Sequence, residues 1–286
     1  MDAFRFTMLF DEMGRLALGQ PGSGFKPLVV DFSGGKTGHR TKNQQGTEQV
    51  VKAAALPKRR SSNRSPPCAS AFSGREGGEA GRGTGDDAEE NLLWDLTAGL
   101  GIDAFILASA GWRVEMFERS PVVAALVQDA LDRAQTCDDV IASTAASRMS
   151  LTVGDSTAAA TERATAVREG GGRAACRRPA VVYLDPMFPH RKKSALVKKG
   201  MQMLQALLEE EEKGEGRRGR GSSRGSGEDD WAGAGEEAML FDVAMRLATR
   251  KVVVKRPVHG AAIVGHVAPS HAVVSKNGRF DVYMVP

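Results

Sequence analysis

The chain is short of cysteine and has no long apolar run, and each shortage removes a class of protein. Its three cysteines, Cys68, Cys137 and Cys176, stand far apart with no C-x-x-C pair. Neither a disulfide framework nor a zinc site is expected from them, and a reducing compartment fits best. The longest charge-free stretch near the end, Pro257 to Ser275, is interrupted by three histidines, Gly260, Gly265 and Pro269, whereas a membrane span needs roughly 18 unbroken apolar residues. No membrane association is expected. Net charge is also small, +4 over 286 residues, so its meaning depends on where the positive side chains gather. At 41% hydrophobic and 26% charged, the composition is that of an ordinary globular chain of one or two domains.

What is abundant is glycine, 33 of 286 residues against a usual share of about 7%, and the surplus sits in blocks. Residues 52–90 hold the run Pro57-Lys58-Arg59-Arg60-Ser61-Ser62-Asn63-Arg64-Ser65-Pro66-Pro67 and then repeated glycines. Residues 158–179 carry Gly170-Gly171-Gly172, and 209–235 join an acidic run to Arg-Gly-Ser repeats. Segments with so few large apolar side chains cannot offset their ordering entropy by burial, so all three are expected to be flexible insertions. Without them the chain divides into a small accessory unit, 1–51, and one domain, 91–286.

The order of the remaining segments is informative. Leu92 to Leu96 reads as a buried strand, followed by a glycine turn, an apolar helix from Ala104 and a stopping Gly111. Trp112 to Phe117 is a second strand, and Ser120-Pro121 has the N-cap serine and first-turn proline of a helix start. Leu151 to Val153, Val181 to Leu184 and Val252 to Val254 are further strands, with helical patterns at Ala195 to Leu208 and Glu236 to Ala248. This β-α-β-α-β alternation predicts an α/β fold with a doubly wound, largely parallel sheet. Ala272 to Tyr283 differs, reading as two alternating strands around Asn277-Gly278, a strong hairpin signal. An antiparallel hairpin closing a parallel sheet suits a nucleotide-cofactor methyltransferase better than a dehydrogenase.

In an open α/β sheet the ligand lies beyond the carboxyl ends of the strands. After the first strand comes Asp95-Leu96-Thr97-Ala98-Gly99-Leu100-Gly101-Ile102-Asp103-Ala104, a G-x-G-x-x-A turn that lets backbone approach a ligand closely, although a plain tight turn would look the same. Glu118 ends the second strand. A carboxylate there accepts hydrogen bonds from the ribose hydroxyls of an adenosine-type cofactor; the bland alternative is a solvated loop acid or a partner for Arg119. Asp155-Ser156 after the third strand is placed to hold an adenine amino group, or only to cap a helix.

The most specific segment follows the fourth strand: Asp185-Pro186-Met187-Phe188-Pro189-His190-Arg191-Lys192-Lys193. An exocyclic amine conjugated to a purine ring is a poor nucleophile because its lone pair is delocalised. A carboxylate from Asp185 and the Pro186 carbonyl can accept both N–H hydrogens and favour the pyramidal geometry that attack requires. Phe188 offers a face on which an extruded base stacks, unless it merely packs in the core. Positive charge gathers beside this turn at Arg191, Lys192, Lys193, Lys198 and Lys199, and again at Arg250, Lys251, Lys255 and Arg256. Lys36, His39, Arg40 and Lys42 follow an expected strand over Leu28 to Phe32. Next to a base-binding turn, such clusters fit phosphate contacts to a structured nucleic acid.

Taken together, Asp95 to Asp103, Phe117 to Leu126, Val182 to His190, Lys192 to Lys199, Val252 to Pro257 and Val30 to Gly35 with His39-Arg40 resemble the bacterial small-subunit (16S) ribosomal RNA guanine-N2 methyltransferase family. The resemblance covers nearly everything outside the three insertions. It implies a Rossmann-like doubly wound sheet of the class I methyltransferase type, 91–286, with the C-terminal hairpin and the N-terminal accessory unit. It implies S-adenosyl-L-methionine as methyl donor and N2 of one guanine as acceptor, in the small ribosomal subunit or its rRNA, with no metal. Cofactor contacts carry over to Asp95, Gly99, Gly101, Ile102, Asp103, Glu118, Arg119, Asp155, Ser156 and Asp185. The catalytic set is Asp185, Pro186 and Phe188. RNA contacts fall on His190, Arg191, Lys192, Lys193, Lys198, Lys199, Lys255, Arg256, His39 and Arg40. Two positions depart from the family pattern: Ile102 stands where arginine is common, which predicts backbone contacts there, and Asp155 stands where a small polar residue is common.

Three other readings stay open on the sequence: a methyltransferase for another RNA or DNA amine, a nucleotide-dependent dehydrogenase sharing the glycine turn and Glu118, and an RNA-binding protein without catalysis. Met1 to Arg15 mixes acids with arginines, unlike a secretory signal or an acid-poor transit peptide. The expected place of action is the cytoplasm, or a eukaryotic organelle if a leader precedes the chain.

Overall fold

A computed structural model describes residues 6–43, 48–57, 91–168, 177–186, 199–219, 229–263, 267–275 and 278–286. The N-terminal part forms strands β1 (Thr7–Phe10), β2 (Leu16–Gly19) and β3 (Leu28–Val29), then helices α1 (Gly35–Asn43) and α2 (Gln49–Ala54). The three strands make a small antiparallel sheet in chain order. The strand expected over Leu28 to Phe32 stops at Val29. Asp31 ends it by turning its carboxylate onto the backbone N–H groups of Ser33 and Gly34, a local bond that competes with continuing a strand.

From Leu92 the chain alternates as expected: β4 (Leu92–Asp95), α3 (Ile102–Ser109), β5 (Arg113–Glu118), α4 (Pro121–Thr136), α5 (Val140–Ala146), β6 (Met149–Val153), α6 (Ser156–Arg168), β7 (Val181–Leu184), α7 (Lys199–Gly219), α8 (Asp229–Leu247), β8 (Lys251–Arg256), β9 (His271–Val274) and β10 (Arg279–Met284). One seven-stranded sheet results, in the order β6-β5-β4-β7-β8-β10-β9. The first five of these strands are parallel, and β10 lies antiparallel to both β8 and β9. The C-terminal hairpin therefore closes the sheet with its second strand inside and its first at the edge. Reversal of strand order between β4 and β7 creates the crevice in which such sheets bind ligands.

Strands β4 and β7 are buried along their whole length, as central parallel strands covered on both faces should be. Alternate side chains divide between two apolar layers. On one face Leu93, Val114, Met116, Val181 and Val253 pack with Phe105, Leu126, Leu204 and the N-terminal Leu18, Val30 and Phe32. On the other, Trp94, Phe117, Val182, Leu184 and Val252 pack with Phe241, Ala244 and Leu247 of α8. Each such side chain, fully buried, is worth roughly 1.5–3 kcal/mol.

The N-terminal elements join the first layer. Phe32 stacks on Phe105 with ring centroids 4.6 Å apart. Arg133 of α4 donates to the Val30 carbonyl at 2.6 Å, and the Leu16 N–H to Asp129 at 3.2 Å. Helix α4 begins as its sequence predicts, with the Ser120 hydroxyl accepting from the Val123 N–H and Pro121 in the first turn. Helices α6 and α7 run well into segments whose composition suggested flexible insertions. Their Ala, Glu, Gln and Arg content favours helix even where little apolar area is available to bury.

Candidate active site

The carboxyl ends of β4, β7 and β8 bring a compact polar cluster together. Asp95, the last residue of β4, is 2% exposed and accepts the Thr97 N–H at 3.0 Å. Burial pushes its carboxyl from 3.8 up to about 8, the Thr97 backbone bond opposing and the charges of Asp103 and Asp185 adding to the rise. The Thr97 hydroxyl in turn accepts the backbone N–H of Asp185 at 2.6 Å, tying the residue after β7 to the turn after β4. Asp103, in the first turn of α3, accepts from the buried Tyr183 hydroxyl at 2.8 Å and from Lys255 Nζ at 2.7 Å. The same ammonium donates to Asp185 Oδ2, also at 2.7 Å.

These contacts set the charges. Burial raises the Asp103 carboxyl, but the Lys255 ammonium and the Tyr183 hydroxyl outweigh it and hold the group below its ordinary value. Burial likewise raises Asp185, and there Lys255 only partly offsets the rise. For Lys255 itself, desolvation is outweighed by two carboxylates, so its pKa rises and the ammonium stays charged. Burial and the surrounding carboxylates push the Tyr183 phenol well above its usual range.

The glycine turn sits beside this cluster. Gly99 and Gly101 have φ of +50° and +69°, the left-handed region that favours glycine. At Gly101 a Cβ would also lie 3.2 Å from Phe32 Cζ, so the N-terminal unit backs the turn directly. The Gly99 N–H donates to Glu118 Oε2 and the Ser120 N–H to Glu118 Oε1, both at 2.8 Å. Burial raises the Glu118 carboxyl while those two backbone donors oppose it. Each carboxylate oxygen has a second lone pair for a further donor.

The structure thus assembles Asp95, Gly99, Gly101, Ile102, Asp103, Glu118, Asp185 and Pro186 along one crest of the sheet. Arg119 points to Glu236 of α8 at 3.2 Å. Asp155 is exposed and accepts the Ala158 N–H at 2.7 Å, the helix-cap alternative weighed for it, with Ser156 opening α6. Thr97, Tyr183 and the inward role of Lys255 were missed in the sequence. The rule that strand ends carry the chemistry, applied to β8, would have flagged Lys255.

The basic residues divide differently from expectation. Lys255 is committed to two carboxylates, and Arg256 is 4% exposed and paired with Glu237. Lys251 turns its Nζ onto the carbonyls of Ala53 and Ala55 at the end of α2. All three lie on a central strand whose two faces are covered, so their charge is turned into the protein. Arg40 makes a two-pronged pair with Glu48 at 2.8 and 2.9 Å, and His39 is exposed. Phe188, His190, Arg191, Lys192, Lys193 and Lys198 lie outside the described residues, as do the side chains of Lys36, Lys42 and Lys199.

Comparison with known proteins decides the family. A family model described as "Putative SAM-dependent methyltransferase" matches residues 79–216 and 231–285. The chain belongs to this family. It is 37% identical over 98% of its length to the ribosomal RNA small subunit methyltransferase J of Vibrio vulnificus, covering 86% of that protein. Against the enzyme of the same name from Salmonella paratyphi C the identity is 37% over 90% of this chain and 76% of the relative. The crystal structure of a SAM-dependent methyltransferase from Neisseria gonorrhoeae superposes with a TM-score of 0.56 at 27% identity, over 95% of this chain and 79% of that one.

As a SAM-dependent methyltransferase, the protein uses S-adenosylmethionine as methyl donor, and its site suits that molecule. The donor carries a sulfonium and an ammonium. The crest offers the carboxyl groups of Asp103, Asp185 and Glu118, with the Lys255 ammonium in contact with two of them, an acidic lining complementary to positive charge. Strand order and the antiparallel β10 are those of the class I methyltransferase sheet expected from the sequence.

Proposed function

We propose that the protein methylates the exocyclic N2 amine of a guanine in small-subunit ribosomal RNA, in the cytoplasm. The names of the relatives that cover most of the chain support rRNA as substrate. The observation that carries the choice of an amine is the position of Asp185-Pro186. The Asp185 backbone is fixed by Thr97 and its carboxylate stands at the mouth of the crevice, 37% exposed.

The glycine turn, Asp103 and Glu118 would hold the donor, with Glu118 receiving the ribose hydroxyls. When bound, S-adenosylmethionine supplies an electrophilic methyl group. Asp185 and the Pro186 carbonyl accept the two N–H hydrogens of the amine and direct its lone pair at that carbon. The donor would supply the methyl carbon and keep the C–S electron pair on its sulfur, and the surplus proton of the amine would leave nitrogen through the Asp185 carboxylate to water. Phe188 would supply the stacking face for the base.

The test is transfer of labelled methyl to purified small ribosomal subunits lacking the modification, with duplex DNA and free transfer RNA as competing acceptors. Label should enter the subunits, and Asp185→Ala should lower the rate by about 100-fold or more while remaining folded. Wild-type rates in a folded Asp185→Ala would remove Asp185 from the mechanism. Preferential labelling of DNA or transfer RNA would replace the acceptor.

A further inference from the structure

Lys255 lies in a segment that its charge alone marked as a phosphate contact, yet its ammonium is aimed into the site. Its Nζ is 2.7 Å from Asp103 Oδ2 and 2.7 Å from Asp185 Oδ2. It is the cation placed between the first turn of α3, where the donor is held, and the residue after β7, where the acceptor amine is held. We propose that Lys255 is a positioning residue for methyl transfer, clamping Asp185 through Oδ2 so that the carboxylate stays ionised and presents Oδ1 to the acceptor amine. The inference rests on the reading of Asp185 as the amine acceptor.

The argument is one of charge and geometry. Asp185 faces a crowded set of groups: Asp95 from β4, Asp103 from α3, Tyr183 from its own strand, and Lys255 from β8. Arg40 of α1 adds a distant positive field at Asp103. Without the Lys255 ammonium, Asp103 and Asp185 would share one partly dry crest, beside a buried Asp95 that already holds its proton, with no cation in contact among the described residues. Like charges so placed do not all ionise, and one member would take up a proton. A protonated Asp185 presents an O–H donor where the amine needs an acceptor, so the N–H groups are no longer drawn away from the ring plane. Oδ2, held by Lys255, cannot rotate into the place of Oδ1, and among the described residues Oδ1 has no hydrogen-bond partner. The backbone half of the clamp is independent, being made by the Thr97 hydroxyl.

The experiment compares wild type, Lys255→Met and Lys255→Arg by the pH dependence of kcat with saturating donor, by direct binding of S-adenosylmethionine, and by carbon-13 titration of aspartate carboxyls. The Asp185 resonance is identified by its loss in Asp185→Asn. Lys255→Met should lower kcat on the order of 10- to 100-fold, and move the acid limb and the Asp185 midpoint up by about one pH unit or more. Donor affinity should change little, and Lys255→Arg should restore the limb. Lys255→Gln, which removes the charge but keeps a side-chain N–H donor beside the two carboxyl groups, serves if Lys255→Met does not fold. An unmoved Asp185 midpoint and acid limb would overturn the proposal, and so would a loss confined to donor binding. The carboxyl titration needs no acceptor. A wild type inactive on rRNA with a shifted Asp185 midpoint would therefore sink the assigned substrate and leave the clamp standing.

Discussion

Asp95 shows how a single residue couples the site to stability. Its carboxyl is buried, with its pKa moved from 3.8 to about 8, so between those values the folded protein holds a proton that the unfolded chain has released. Stability from this group is fully present below about pH 4 and is lost as pH rises towards 8. In Asp95→Asn, which cannot titrate, the fall in unfolding free energy between pH 4 and pH 8 should be smaller than in wild type, as read by urea denaturation across that range. An identical pH dependence would mean that Asp95 titrates normally. At this scale the acids of the site were legible because they directly follow strands, where the topology forces ligand contacts. Tyr183 was not, since nothing in a residue's type says whether a polar side chain on a covered strand turns inward; Thr97 was passed over within the glycine turn, and Lys255 was read by its charge rather than by its place near the end of β8. The run of lysines and arginines was read as one surface, whereas three of its members are spent on protein partners.

At the scale of elements, the alternation of strands and helices was readable from Leu92 onward because each central strand is a short apolar run bounded by charged residues, glycine or proline. Helix α5 was overlooked although Asp139 caps it, accepting from the N–H groups of Ile141 and Ala142. Its seven residues are too short to show a period. The β1–β2 ladder was also missed, its strands being only four residues each. The joint between β8 and α2 depends on Lys251, whose Nζ meets two carbonyls at 2.8 and 2.6 Å. Lys251→Met should cost about 1–3 kcal/mol by leaving the buried Ala53 carbonyl without its Lys251 donor. Thermal unfolding measures this, and an unchanged midpoint would show that α2 is held by its apolar contacts alone.

Over the whole molecule, the N-terminal unit backs the glycine turn after β4. Phe32 packs against Phe105 and approaches Gly101, so the accessory strands and the glycine turn share one core. Phe32→Ala should lower stability by about 3–5 kcal/mol and raise KM for S-adenosylmethionine at temperatures where the variant is still folded. Loss of stability with an unchanged KM would separate the unit from the site. The sheet order and the family point to one chemistry, a methyl group moved from the sulfur of S-adenosylmethionine, and the proposed acceptor is a conjugated amine. Its most direct test is to digest the RNA of small ribosomal subunits treated with the protein and labelled donor, and to identify the methylated nucleoside by mass spectrometry. The account predicts N2-methylguanosine at a single position, absent with Asp185→Ala. Label on a ring nitrogen, on a ribose oxygen or on carbon would contradict it.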